Sequence, residues 1–251
     1  MRANLRNHIV WLMVAIATIT TIYAQTIGVA EQQYIFRSEW NGSLSLTTSG
    51  FSLGYRRGKQ FNSTMYRKHL FEVEGSYIRH NKEVRSTPYS PRAHRFIYGK
   101  RNTLFTLRGG YGQMRVLTTK PYWGGVELRW LTIGGASLGF AIPYYIYRYR
   151  DDYSDVLVAE AYDPDKHNWG NIYGRGPYFK GISSTTLHPG VYLKTALNAE
   201  FSRYQSGVRS LELGAMAECL FIPVDMMAFN DKKSLFLSLY VSYLFGAKRE
   251  Y

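Results

Sequence analysis

KSLFLSLYVSYLFG, residues 233–246, decides the fold. Leu235, Leu237, Leu239, Val241, Tyr243 and Phe245 share one parity, and Ser238, Tyr240, Ser242 and Gly246 share the other. Successive side chains of an extended chain point to opposite faces, so this stretch is a strand with one continuous apolar face. Working toward the N-terminus, Leu211, Leu213, Ala215, Ala217 and Cys219 alternate with Glu212, Gly214, Met216 and Glu218. Val191, Leu193, Thr195, Leu197, Ala199 and Phe201 alternate with Tyr192, Lys194, Asn198 and Glu200. Charge on one face and apolar residues on the other fit a barrel with lipid outside and a polar lumen.

Parity also sorts the two glycine-bearing stretches. Across residues 125–147, Val126, Leu128, Trp130, Leu138, Phe140 and Ile142 keep one parity through Gly134-Gly135, whereas a turn there would pair Arg129 with Phe140. One long strand is expected, with the glycines as a bend or a close approach. Near the N-terminus Trp40, Leu44 and Leu46 are even but Phe51, Leu53 and Tyr55 are odd. A hairpin at Ser49-Gly50 pairing Leu46 with Leu53 restores one face, and a β-bulge is the competing reading. Further strands are expected over 65–79 and 102–116. The sum is an all-β, antiparallel transmembrane up-and-down β-barrel of about eight strands, with long loops near 81–97 and 148–187 outside and short turns inside. A lipocalin-like soluble barrel would show the same alternation with its apolar face inward. The abundance of aromatic residues, 16% with 22 Tyr, favours membrane girdles.

Arg2 and Arg6 precede an apolar run from Ile9 to Ile22, with Ala24 just before Gln25. This reads as a cleaved signal peptide over 1–24, leaving a barrel domain over 25–251. The run is shorter than the roughly 20 residues of a spanning helix, and no long apolar stretch follows it. A chain entering the membrane without such a helix does so as a closed barrel. Cys219, the single cysteine, reads as a small packing residue and permits no intrachain disulfide. The net charge of +13 suits nucleic acid in principle, but an exported chain meets lipopolysaccharide phosphates instead.

Assigning faces puts Glu72, Glu74, Glu127, Glu200, Glu212 and Glu218 in the lumen with Arg108, Arg129 and Lys194, as an ion-pair network filling a narrow barrel. Residues 79–101 carry Arg79, Lys82, Arg85, Arg92, Arg95, Lys100 and Arg101 against Glu83 alone, a basic loop that suits phosphates or an acidic partner. The run YDPDKHNWGNIYGRGPYFKG, 162–181, offers Trp169, Tyr173, Arg175, Tyr178 and Phe179 for contact with a partner protein. Its Asp163, Asp165 and Asn168 are loosely spaced like calcium ligands but lack the distal glutamate and the placed glycine, so no metal is expected. His167 and His188 near Ser183 and Ser184 invite a hydrolase reading, but no nucleophile motif accompanies them. Neither an enzyme nor a cofactor is expected.

Four segments, FIYGKRNTLFTLRGGYGQMRVL, GGVELRWLTIGGASLGFAIPYY, YDPDKHNWGNIYGRGPYFKG and FNDKKSLFLSLYVSYLFG, resemble a largely uncharacterised family of small outer-membrane barrel proteins of Bacteroidota. The stretch RHNKEVRSTPYSP departs most from that pattern. The resemblance implies an outer-membrane location and supplies no catalytic residues. The leading expectation is an accessory or scaffolding subunit of a larger outer-membrane complex, for barrel assembly or secretion, in contact with lipid, lipopolysaccharide and other outer-membrane proteins. A lipid A modifying enzyme is the second reading, and a narrow pore or small-ligand carrier the third.

Overall fold

A computed structural model describes residues 38–60, 67–88, 93–119, 125–150, 156–177, 179–202 and 207–249. The expected signal peptide, 1–24, lies outside the described residues, as do Arg92 and Tyr178. Wherever the sequence alternates, the chain is extended. In order come β1 (Ser38–Thr47), β2 (Gly50–Gln60), β3 (Arg67–Ile78), β4 (Arg85–Ser86), β5 (Phe96–Ile97), β6 (Asn102–Thr118) and β7 (Glu127–Pro143). They are followed by β8 (Tyr145–Tyr149), β9 (Leu157–Ala161), β10 (Ile172–Arg175), a 3-10 turn (Ile182–Ser184), β11 (Thr186–Glu200), β12 (Gly207–Val224) and β13 (Lys233–Arg249).

Eight of these close into an antiparallel up-and-down barrel in the cyclic order β1-β13-β12-β11-β7-β6-β3-β2. Closure pairs both edges of every strand, which hydrocarbon demands of a β-structure. The faces are inverted relative to a soluble barrel. Leu46 is 68% and Leu237 67% exposed on the outside, while Glu72, Arg108 and Glu212 are buried within. In water each outward Leu would forgo roughly 1.5–3 kcal/mol of burial, so the outer belt belongs in lipid and the lipocalin-like alternative fails. Exposed aromatic residues gather toward both strand ends. Trp40, Trp130 and Phe201 lie at one end, and Phe51 and Phe105 pack on Tyr77 at the other, with ring centroids 5.6 and 5.3 Å apart.

Residues 127–143 form one strand through both glycines. A side chain at Gly135 would place its Cβ 2.1 Å from the Gly109 carbonyl oxygen, so the close approach of β6 to β7 requires glycine there. The N-terminal hairpin also forms, but its register departs from expectation. Leu46 pairs with Phe51 and Leu44 with Leu53, rather than with Leu53 and Tyr55. The turn is the tight pair Thr48-Ser49, left through Gly50 at φ 152°, and a slip of two residues preserves every face. Cys219 faces outward and is exposed rather than packed in an interior.

The strand ends joined by 79–101, 144–185 and 225–232 share one end of the barrel, opposite the end that carries Ser38 and Arg249. The first two connections are structured. β4 pairs with β5, and β8 is the centre of a three-stranded sheet in the order β10-β8-β9. These elements form a cap.

Candidate functional site

Three layers fill the barrel from the end near Ser38 to the cap. At that rim Lys68 donates to Glu39 at 2.6 Å, Arg129 bonds Glu127 at 2.7 Å and also Glu200, and Lys248 reaches Glu200 at 2.5 Å. At mid-barrel one chain of charges runs through five strands. Arg56 bridges Glu212 at 2.7 Å and Glu72 at 2.5 Å, and Lys194 joins Glu72 at 3.0 Å to Glu74 at 2.7 Å. Arg108 joins Glu74 at 2.7 Å to Glu218 at 2.6 Å. The Tyr240 hydroxyl donates to Glu212 at 2.8 Å, and its ring lies 4.8 Å beneath the Lys194 ammonium. Beneath the cap, Ile78, Leu104, Ala141, Leu220 and Val224 pack with Met226 and Met227 of the β12–β13 turn into an apolar plug.

All nine lumen residues chosen from the sequence thus sit in ion pairs. Glu39, Arg56, Lys68 and Lys248 were missed. Each has the inward parity of its strand, so carrying the alternation past the apolar residues of β1, β2, β3 and β13 would have found them.

Glu83 organises the cap. Its buried carboxylate accepts the Lys100 ammonium at 2.9 Å and the His80 backbone N–H at 3.2 Å. Arg101 bonds Asp225 at 2.6 Å, and the Ala228 N–H reaches the Gly99 carbonyl at 2.7 Å, tying the basic loop to the β12–β13 turn. Phe96, Tyr144, Ile146, Tyr162 and Ile172 form a small core above the plug. Burial pushes the Tyr162 phenol up to about 12 and lowers the His80 imidazole, which Lys233 and Lys82 also disfavour in its charged form. Arg148 grips Glu160 with both forks, at 3.0 and 3.1 Å, and this hydrogen bonding holds that carboxyl below its ordinary value.

The two loops chosen from the sequence converge here. Of the aromatic set, Phe179 is 81% exposed, and Trp169, half exposed, packs its ring on Phe96 and Tyr98 at 5.4 and 5.5 Å. Tyr173 meets Tyr149 edge-on at 5.4 Å. Phe229, which sequence reasoning missed, is 78% exposed at φ 62°, a left-handed conformation uncommon outside glycine. Of the basic set, Arg79 bonds the Glu83 carbonyl at 2.5 Å and Lys82 bonds Asn230 at 2.6 Å. Arg85 and Arg95 instead line a cleft of about 470 Å³ with His94, Tyr147, Arg175, Gly176 and Pro177.

The remaining candidates have other partners. His188 bonds the Ile222 carbonyl and Thr186 Oγ1, both at 3.0 Å, and His167 lies against the backbone of Asp163. Among the described residues neither imidazole bonds Ser183 or Ser184. Asp163 Oδ1 accepts the Asp165 N–H, and Asn168 Oδ1 accepts those of Gly170 and Asn171, so these oxygens shape turns.

No protein-family model and no curated protein matches the chain. Two crystal structures are similar in fold. Neisserial surface protein A is 9% identical with a TM-score of 0.40, over 84% of this chain and 96% of that one. Ail, the attachment invasion locus protein of Yersinia pestis, is 8% identical with a TM-score of 0.36, over 84% of this chain and 93% of that one. At such identity the likeness reaches no individual residue of the cap or the lumen.

Proposed function

We propose that the chain is a non-enzymatic, non-conducting barrel of the bacterial outer membrane whose cap docks another protein. It would serve as an accessory or scaffolding subunit of a larger outer-membrane assembly for barrel assembly or secretion. One observation carries this reading: the barrel interior is consumed by its own ion pairs and apolar plug, while the cap leaves large aromatic side chains in water. Trp169 and Tyr173 are already held by ring contacts to Tyr98 and Tyr149, so ordering them on binding costs little. Exposed aromatic anchors of this kind dominate binding energy at protein interfaces.

Purification of the full chain in mild detergent tests the proposal. A second outer-membrane protein should co-purify in fixed stoichiometry and be lost from Phe179→Ser and Phe229→Ser variants that fold normally. A solitary barrel from cells whose lipid A changes when only this protein is removed would establish the enzymatic reading instead. Planar-bilayer recordings should show no unit conductance, and discrete channel openings would refute a closed lumen.

A further inference from the structure

The barrel end opposite the cap is set apart from the rest of the outer wall by its charge. Each carboxylate of the barrel strands is engaged in the lumen's ion pairs, so the lipid-facing parity carries none among the described residues. Cations do occupy that parity. Arg57 and Lys59 of β2, Arg67 of β3 and Arg115 of β6 are exposed on three strands adjacent in the barrel. The segments that follow these strands, 61–66 and 119–126, contain no Asp or Glu. Elsewhere on the same rim the outer wall is mostly apolar. β7 and β11 present Leu128, Trp130 and Phe201, and the arginine of β12, Arg209, faces Phe245.

Strand register fixes the height of this patch. Arg57 lies opposite Trp40 and Arg115 opposite Trp130, both exposed rings of the girdle at this end. Girdle rings mark the boundary between hydrocarbon and headgroups. Arginine side chains rooted there lay their stems along the apolar wall and carry their guanidinium groups to the phosphate level. Arg67 and Arg115 are direct cross-strand partners. Such partners stand roughly 4.5–5.5 Å apart at Cβ, so both guanidinium groups can reach one anion held between them. Lys59 pairs with His69, one step diagonal from Arg67, and the His69 ring is itself bonded to the Tyr111 hydroxyl.

We infer that this patch binds an anionic phospholipid of the membrane leaflet around it, the phosphate shared by Arg67 and Arg115 and the field strengthened by Arg57 and Lys59. The long connections of the cap mark the outer side of such a barrel, which puts the patch at the periplasmic leaflet. The guanidinium fork matches phosphate oxygens in pairs. A zwitterionic headgroup would bring an ammonium as well, and the outer wall offers no carboxylate among the described residues to receive it. A headgroup with phosphate and no cation therefore fits best. The inference stands apart from the docking role, since it lies at the opposite end from Phe179 and Phe229.

Trp130, opposite Arg115, is a built-in reporter. A full chain keeping it as the single tryptophan is reconstituted in phosphatidylcholine vesicles that contain brominated phosphatidylglycerol, phosphatidylethanolamine or phosphatidylcholine, and its quenching is compared. Phosphatidylglycerol should associate about tenfold or more tightly than phosphatidylcholine, since each cation near the surface contributes on that scale, and phosphatidylethanolamine should not. The preference should fall at about 1 M salt, where screening acts within ~3 Å. R67Q/R115Q should lose it and R209Q, away from the patch, should keep it. Heat-modifiable migration on gels certifies that each variant is folded. Equal quenching by phosphatidylglycerol and phosphatidylcholine overturns the inference and leaves the patch to a water-soluble acidic partner. It is overturned too if phosphatidylethanolamine quenches as strongly as phosphatidylglycerol, if R67Q/R115Q retains the preference, or if R209Q loses it to the same extent.

Discussion

The lumen and the cap both hold many cations, and they treat them in opposite ways. In the lumen every cation described is locked to one or more carboxylates: Arg56, Arg108 and Lys194 bridge two each, and Lys68, Arg129 and Lys248 close the rim. In the cap, Glu83, Asp225 and Glu160 pair with part of the basic charge, and the side chains of Arg85 and Arg95 stand exposed to solvent at a cleft. A buried charge without a partner costs several kcal/mol, so the lumen had to be compensated for the barrel to fold at all. Solvent relaxes that demand at the cap, which can therefore carry exposed charge and aromatic surface. On the proposed reading the barrel is the support and the cap the docking surface.

The largest expected effect breaks the lumen's half of this contrast. Arg108→Met removes the cation shared by Glu74 and Glu218, both buried. Glu74 retains Lys194, but Glu218 loses its sole salt-bridge partner among the described residues. Urea unfolding followed by gel mobility should show a loss of about 3–5 kcal/mol. Arg108→Met combined with Glu218→Gln should recover part of that loss, because the stranded charge is gone. A single variant as stable as the natural protein would mean the network contributes nothing to barrel stability.

Lys100→Met makes the corresponding break in the cap and should spare the barrel. It leaves Glu83 buried without its closest cation, since Arg79 stands at 3.8 Å and is exposed. Trypsin should then cut within 79–101, while urea unfolding of the barrel shifts by no more than about 0.5 kcal/mol. Equal losses in both readouts would show that cap and barrel unfold as one unit.

What the sequence revealed follows from which physical force acts on each region. Two different surroundings act on alternate residues of the barrel strands, hydrocarbon outside and a polar lumen inside, so period-two alternation survives in the sequence and the strand count and faces are legible. The same parity is blind to a slip of two residues, which is why the Leu46–Phe51 register was not foreseen. The strands of the cap left no such mark. β8, YIYRY, has Tyr145, Tyr147, Arg148 and Tyr149 at least partly accessible around a buried Ile146, and a five-residue strand with polar groups on both faces shows no alternation. The cleft escaped for another reason. Arg85 and Arg95 belong to one loop and Arg175 to another, and only the docking of β10 against His94 brings them together.

The smallest effect sharpens the contrast through pH, because the cap's ionisable groups are only partly shielded. Glu160 is held below the ordinary carboxylate value of 4.5 by Arg148, so its contribution is present above that value and lost as pH falls through the lowered one. His80 is lowered from 6.5 by burial, so the cap also weakens as pH falls below that value, where the unfolded loop takes up the proton first. Tyr162 is raised from 10.0 to about 12, and its contribution is full below 10 and declines as pH rises toward 12. The three signs together make the cap tightest between about pH 7 and 10. Trp169, stacked on Phe96 and Tyr98, reports this in a variant keeping it as the single tryptophan. Its emission should shift toward that of a solvated indole at both extremes. The change corresponds to about 1 kcal/mol or less on the acid side, since the Arg148–Glu160 pair is a third exposed. A flat emission profile from about pH 3 to 12 would show that these groups do not hold the cap together.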